Sequence, residues 1–174
     1  SKFVITPVSL GNYTEVPETP VNNNQHVTLP PVVNTNEKIT SFKNKKISYK
    51  VLTCNDDKKT GTVEVSASTA NKSLKKVTIP ATVIKDGVTY KVVKIAKNAF
   101  KNSKKLRSIT IGKNVKEIGN NAFKGCKNLT KVTTGKALTK IGKFAFAGDK
   151  KLKNINFSKS KKLKSVGKKA FNGI

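Results

Sequence analysis

The sequence predicts a β-rich solenoid of parallel strands and short helical turns, closed at its N-terminal end by a β-hairpin cap. Three observations carry this expectation. An Ala-Phe pair recurs at Ala99-Phe100, Ala122-Phe123, Ala145-Phe146 and Ala170-Phe171. The apolar positions around each pair keep one register. Upstream of the repeats lies a stretch of alternating β-formers, and before that a proline-rich tract.

The register is read from aligned positions. Val92, Val115, Leu138 and Leu163 are followed three residues on by Ile95, Ile118, Ile141 and Val166. After the Ala-Phe pair come Leu106, Leu129 and Leu152, and then Ile109, Val132 and Ile155. The period is 23 residues from Phe100 to Phe123 and again to Phe146, then 25 to Phe171. An earlier copy is lengthened: Leu74, Val77 and Ile79 match Leu106, Ile109 and Ile111 at a separation of 32. Its nine extra residues fall around Lys85-Asp86-Gly87-Val88, a good two-residue hairpin turn. The two extra residues of the last period fall at the same joint, in Ser158–Lys162.

Each copy reads as a physical unit. Leu106-x-x-Ile109-x-Ile111 supplies a strand, and Val115-x-x-Ile118-Gly119 a second short extended piece. Asn120–Gly125 reads as a helical turn in which Ala122 allows close approach, Phe123 fills the core and Gly125 suits a left-handed stop. About five large apolar groups at ~1.5–3 kcal/mol each do not offset the entropy of ordering such a unit at ~1–2 kcal/mol per residue. A single copy is therefore unstable, and stability has to come from stacking.

Upstream, Ile47–Leu52 and Thr62–Ser66 alternate around the turn-rich Asn55–Gly61. This is the expected cap, shielding a solenoid end that would otherwise expose strand edges. Lys2–Thr6 reads as a short strand. Pro7, Pro17, Pro20, Pro30 and Pro31 then mark an extended linker, or alternatively a strand along the solenoid flank. The expected organisation is residues 1–38 as the end of a preceding domain plus linker, 39–73 as cap and 74–174 as repeats, the last one truncated at Phe171–Ile174. The sequence contains no methionine, which suits a mature or excised piece with any export signal upstream of Ser1.

The string Ile-Gly-x-x-Ala-Phe-x-Gly-Cys-x-x-Leu at Ile118–Leu129, with relatives at Ile95–Leu106 and Ile141–Leu152, closely resembles the BspA-type leucine-rich repeats of bacterial surface proteins. Leu74–Pro80 is similar to that family's opening rung. The resemblance implies a leucine-rich-repeat solenoid on a secreted or cell-surface bacterial protein, serving adhesion or interaction. It transfers no ligand-binding residues.

Charge narrows the function further. The net charge is +27, yet residues 1–38 hold two lysines against three glutamates, leaving +28 for residues 39–174. Only one of the 36 basic residues is an arginine, Arg107. Such a surface attracts polyanions. The lysine bias favours diffuse attraction over base reading, so nucleic acid is expected to bind only nonspecifically. From Val92 onward the only acids are Glu117 and Asp149, and the single histidine is the remote His26. No paired carboxylates or Cys-His or Ser-His set is available, so neither catalysis nor a cofactor or metal is expected. Cys54 and Cys126 read as small apolar side chains or as a single bridge.

The candidate site is the outward face of the repeat strands: Lys75, Lys76 and Thr78; Arg107 and Thr110; Lys131 and Thr133; Lys153 and Asn156. Its partner is expected to be a protein or an anionic polysaccharide of host matrix, glycan or cell wall, bound by a monomer with no membrane span. The same residues also suit a merely soluble strand surface. Phe144, where other copies carry Asn98, Asn121 and Lys169, is a possible exposed aromatic for a sugar or partner, or alternatively packs locally. The lysines of the turns, among them Lys104, Lys127 and Lys150, are expected opposite the sheet. The alternative function is an accessory carbohydrate-binding or wall-targeting module of a secreted multidomain enzyme.

Overall fold

In the computed structural model, residues 38–174 are described. The readings of Lys2–Thr6 and of the proline-rich tract lie outside the described residues.

The chain builds β1 (Ser41–Asn44), β2 (Ile47–Asn55) and β3 (Thr60–Val65), then β4 (Lys76–Thr78), β5 (Thr82–Lys85) and β6 (Val88–Ile95). The repeats add β7 (Ser108–Thr110), β8 (Glu117–Ile118), β9 (Lys131–Thr133), β10 (Lys140–Ile141), β11 (Asn154–Asn156) and β12 (Ser165–Val166). Two sheets result. Sheet A runs β1-β2-β3-β6-β8-β10-β12 with β5 attached to β6, and sheet B runs β4-β7-β9-β11. Every repeat thus gives one strand to each sheet, and from β3 to β12 sheet A pairs in parallel, rung on rung.

The expected cap is present with one strand more than the sequence suggested. β2 and β3 form an antiparallel hairpin, Tyr49 facing Val65, and β3 then starts the parallel stack by pairing with β6. The additional β1 pairs antiparallel with β2 through a turn at Lys45 and Lys46, whose φ values of 46° and 68° are both left-handed. Phe42 on β1 packs its ring 5.5 Å from Tyr49 and 5.6 Å from Tyr90, covering the first rung. The Asp86-Gly87 turn joins β5 to β6 with φ of 50° and 76°, the geometry its sequence demanded.

The expected helical turn around each Ala-Phe pair is instead a run of reverse turns. Asn98, Asn121, Phe144 and Lys169 on one side and Asn102, Gly125, Gly148 and Gly173 on the other all have positive φ. A left-handed residue every four positions stops any α-helix from propagating. Close i→i+3 bonds hold each turn, as in Ala122 N–H to Gly119 O at 3.2 Å and Cys126 N–H to Phe123 O at 3.2 Å. The turns also hydrogen-bond to one another between rungs: Phe100, Phe123 and Phe146 donate to the carbonyls of Ala122, Ala145 and Ala170 at 2.7–2.8 Å. This makes a third seam beside the two sheets.

The core is a set of columns, one residue per rung. Phe100, Phe123, Phe146 and Phe171 stack nearly parallel, with centroids 5.3, 5.1 and 5.7 Å apart. Leu106, Leu129 and Leu152 form another buried column, and Ile95, Ile118 and Ile141 a third. At the last rung Val166 is 50% exposed, and Leu163 and Phe171 are half-buried.

Glycine marks where rungs touch backbone to backbone. A Cβ on Gly142 would lie 2.5 Å from Asn120 N and 2.7 Å from Gly119 C, whereas one on Gly148 meets open space and faces only its positive φ. Gly142→Ala is therefore expected to cost about 3 kcal/mol by forcing rungs apart, and Gly148→Ala about 1 kcal/mol from φ strain alone. Urea unfolding of the two variants checks the order; equal losses would rule out rung contact as the cause.

Candidate functional site

The sheet B strands place the predicted residues in two columns. Lys76, Ser108, Lys131 and Asn154 are paired in register, and so are Thr78, Thr110, Thr133 and Asn156. Between these columns Val77, Ile109 and Val132 turn inward and are buried. The strand alternation of period two thus sets which side chains face out. Lys75, Arg107 and Lys153 stand one residue ahead of β4, β7 and β11 and are exposed. Arg107 N–H donates to Lys75 O and Thr130 N–H to Arg107 O, each at 2.8 Å, so this column too is stacked.

Lys72, Lys104, Lys127 and Lys150 each stand two residues before the leucine that leads into a sheet B strand, and all are exposed. Ion pairing leaves the face uncompensated. Among the described residues the ion pairs are Lys85–Asp86, Lys94–Glu117 and Lys140–Glu117, each at 3.7 Å, and none involves a sheet B residue.

Phe144 is not part of this face. It sits in the turn seam, half-buried, with the Lys124 ammonium 5.0 Å from its ring centroid. Of the two readings of this ring, the placement fits local packing, under a cation. Its φ of 56° is unusual for an aromatic residue. Phe144→Asn, which restores the residue of neighbouring copies, is expected to relieve about 1 kcal/mol of strain and to lose about 0.5 kcal/mol of cation–π attraction. A small rise in the thermal midpoint checks this; a fall of several degrees would show that the ring carries packing energy instead.

Sequence reasoning missed two buried polar features. The first is a column three residues before each sheet B leucine: Asn71, Ser103, Cys126 and Asp149, all fully buried. Their carbonyls accept from the N–H groups of Leu74, Leu106, Leu129 and Leu152 at 2.9–3.3 Å. Cys126 N–H donates to Asp149 Oδ1 at 2.8 Å, and Cys126 Sγ to Phe100 O at 3.1 Å. Among the described residues Asp149 Oδ2, Ser103 Oγ and Asn71 Oδ1 find no hydrogen-bond partner. Burial pushes the Asp149 carboxyl up to about 8, against two backbone N–H bonds from Cys126 and Gly125 that pull it down. Burial, and then the charge of Asp149, push the Cys126 thiol up to about 12, so it is a packed side chain and not a nucleophile. Cys126 and the half-buried Cys54 are both free thiols.

The second is Thr134, buried in a column whose other members are Ile79, Ile111 and Phe157. Its hydroxyl donates to Ser160 Oγ at 2.6 Å, with Asn156 O at 3.0 Å as its alternative acceptor. Ser160 occupies the position of Gly112 and Gly135, so the two departures from the repeat compensate each other. A polar residue in an otherwise apolar column was the available signal. Among the described residues no three His, Cys, Asp or Glu side chains group as metal ligands, and no helix is long and apolar enough to cross a membrane.

A β-solenoid of about four turns, with one leucine and one Ala-Phe pair per rung, defines a leucine-rich repeat protein. The chain belongs to the family of BspA type leucine rich repeat regions, whose model matches residues 65–174 in six copies. Among solved structures it is similar to a leucine-rich repeat protein from Bacteroides ovatus ATCC 8483, at 33% identity and a TM-score of 0.62, over 76% of this chain and 33% of that one. It is also similar to a leucine rich cell surface protein from Faecalibacterium prausnitzii A2-165, at 26% identity and a TM-score of 0.59, over 79% of this chain and 35% of that one. A leucine-rich repeat protein from Bacteroides capillosus ATCC 29799 shares the fold at 23% identity and a TM-score of 0.56, over 74% of this chain and 98% of that one. The chain spans about a third of the length of the first two. No curated protein matches it. Leucine-rich repeats are generally interaction modules without catalytic activity.

Proposed function

We propose that this chain is a noncatalytic interaction module of a secreted or surface-attached bacterial protein, engaging a protein or an anionic polysaccharide through the outward face of sheet B. The observation that carries this reading is the uncompensated column order of that face. Lys75, Arg107 and Lys153 lie beside Lys76 and Lys131, next to a hydrogen-bonding column of Thr78, Thr110, Thr133 and Asn156. Long-range attraction from such a field speeds encounter with an acidic partner. The hydroxyl and amide column supplies short-range hydrogen bonds. The likeness to a cell surface protein supports an extracellular setting.

The test is an array of matrix proteins and glycans probed at low and physiological salt with the chain and with a Lys76→Ala, Arg107→Ala, Lys131→Ala, Lys153→Ala variant. Retention by a partner, lost in the variant, is the expected result. A polyanion complex weakens steeply with salt, because its exposed charges are screened beyond about 8 Å at physiological ionic strength. Uniform failure to bind, or binding indifferent to the four substitutions, would leave a spacer role only.

A further inference from the structure

Past the C-terminal ends of the sheet B strands the chain turns at Gly112 and Gly135, and an open-sided groove of about 660 Å³ lies there. Its floor is bare backbone for a packing reason. A Cβ on Gly135 would lie 2.6 Å from Gly112 O, and one on Gly112 would lie 2.5 Å from Ile79 O, so rung stacking keeps side chains off the floor. At the third rung the equivalent residue is Ser160, and its hydroxyl turns inward to donate to Gly135 O at 2.8 Å. That bond, with the Thr134 contact beneath it, ties the floor of one rung to the next.

The rim carries cations on every rung, with Lys159 beside Lys161 on the third. Lys113, Lys136 and Lys161 each directly follow Gly112, Gly135 or Ser160, and all three are exposed. Thr110 and Thr133 line the side toward sheet B. No carboxylate lines the groove, and none of its lysines belongs to an ion pair among the described residues.

We propose that this groove binds an acidic polysaccharide, bearing carboxylate or sulfate groups, laid along the solenoid axis. The inference rests on the reading of sheet B as the interaction face and extends it to the groove along that face's edge, with a stated ligand. Parallel rungs repeat every ~4.7–4.9 Å, so the backbone sets lysines at successive rungs along the axis, which suits a polymer with regular anions. A lysine ammonium accepts either kind of anion without the planar demand of an arginine fork. The threonine hydroxyls serve sugar hydroxyls, and the lysine stems and threonine methyls give sugar C–H faces an apolar wall. No aromatic side chain lines the groove, so the stacking platform that single-stranded nucleic acid uses is missing. The volume falls within the range of small-ligand clefts, about 300–1,000 Å³.

The experiment titrates the whole chain with polygalacturonate, dextran sulfate, neutral dextran, polyglutamate and oligodeoxythymidine at low and physiological salt. One variant carries Lys113→Ser, Lys136→Ser and Lys161→Ser. A control carries Lys97→Ser, Lys143→Ser and Lys168→Ser, the same loss of charge on exposed lysines that follow the sheet A strands. A third carries Thr133→Val. Thermal melts verify that each is folded. Binding to polygalacturonate or dextran sulfate, weakened about tenfold in the groove variant, about threefold in Thr133→Val and under about twofold in the control, is the expected result. Equal loss in groove variant and control would reduce the effect to net charge and overturn the site. Polyglutamate or oligodeoxythymidine binding as tightly as the acidic polysaccharides, or no binding to the latter, would overturn the ligand class. A matrix protein retained through Lys76, Arg107, Lys131 and Lys153 while every polysaccharide fails would sink this inference and leave the interaction reading standing.

Discussion

Replacing Phe123 by alanine is expected to cost about 3–5 kcal/mol, a large share of the ~5–15 kcal/mol that stabilises an ordinary domain. Phe123 is fully buried and its ring is sandwiched between Phe100 at 5.3 Å and Phe146 at 5.1 Å. Truncation opens a cavity in the middle of the column, and the two neighbouring rings lose their stacking partner together. Collapse into the cavity is opposed by the hydrogen bonds of the turn seam, which hold the Phe123 backbone against Ala145. Phe171→Ala is expected to cost less, because Phe171 is half-buried, with Phe146 stacked on one side and Phe157 meeting it edge-on at 6.4 Å. Urea midpoints of the two variants give the comparison. Equal sensitivity would show that the column contributes no more than ordinary burial.

The second large effect is a dependence of stability on pH that Asp149→Asn removes. The folded-state pKa of about 8 lies above the ordinary carboxyl value of 3.8. Between those values the native chain holds a proton that the unfolded chain has released. Stability is therefore full below about pH 4 and falls as pH rises toward 8, beyond which the charged carboxylate must be carried buried. At about 1.4 kcal/mol for each pH unit between the two values, the loss amounts to a few kcal/mol. No cation compensates it: the contacts to the carboxylate are the N–H groups of Gly125 and Cys126, and the titratable group beside it is the Cys126 thiol. Asp149→Asn keeps an acceptor for Cys126 N–H and has no charge to bury. Denaturant unfolding at pH 5 and pH 9 is expected to converge in the variant and diverge in the parent chain. A parent chain equally stable at both pH values would refute the burial argument.

How much of this was legible beforehand depended on what dictates each residue. The columns of Phe100, Leu106 and Ile95 were readable because a shared core admits only large apolar groups at a fixed period. The Asp86-Gly87 hairpin was readable because its residue types match its left-handed backbone. Strand β1 was not, because its turn at Lys45 and Lys46 adopts the same backbone with residues that signal nothing of the kind. The Ala-Phe segment reads as helical because alanine and lysine favour helix. Tertiary hydrogen bonds between rungs override that preference. The outward columns of sheet B followed from strand alternation alone. The groove did not, since Lys161 falls two residues out of period and its lysines look like any turn lysines in a chain with 35 of them. The Asn71, Ser103, Cys126 and Asp149 column hid in its diversity: four different polar or thiol side chains answer one small buried space.

The parallel pairing from β3 to β12 has a further consequence. Among the described residues each rung hydrogen-bonds only to the rung before and the rung after it, so a whole unit can be inserted or deleted without altering any other junction. Length behaves as a quantised variable. An in-frame duplication of one 23-residue segment would lengthen the cation-lined face by a single step of ~4.7–4.9 Å and extend its charge rows by one more position. Reach, and with it the number of ligand units held at once, can then be tuned by recombination between copies, with no new contact to invent.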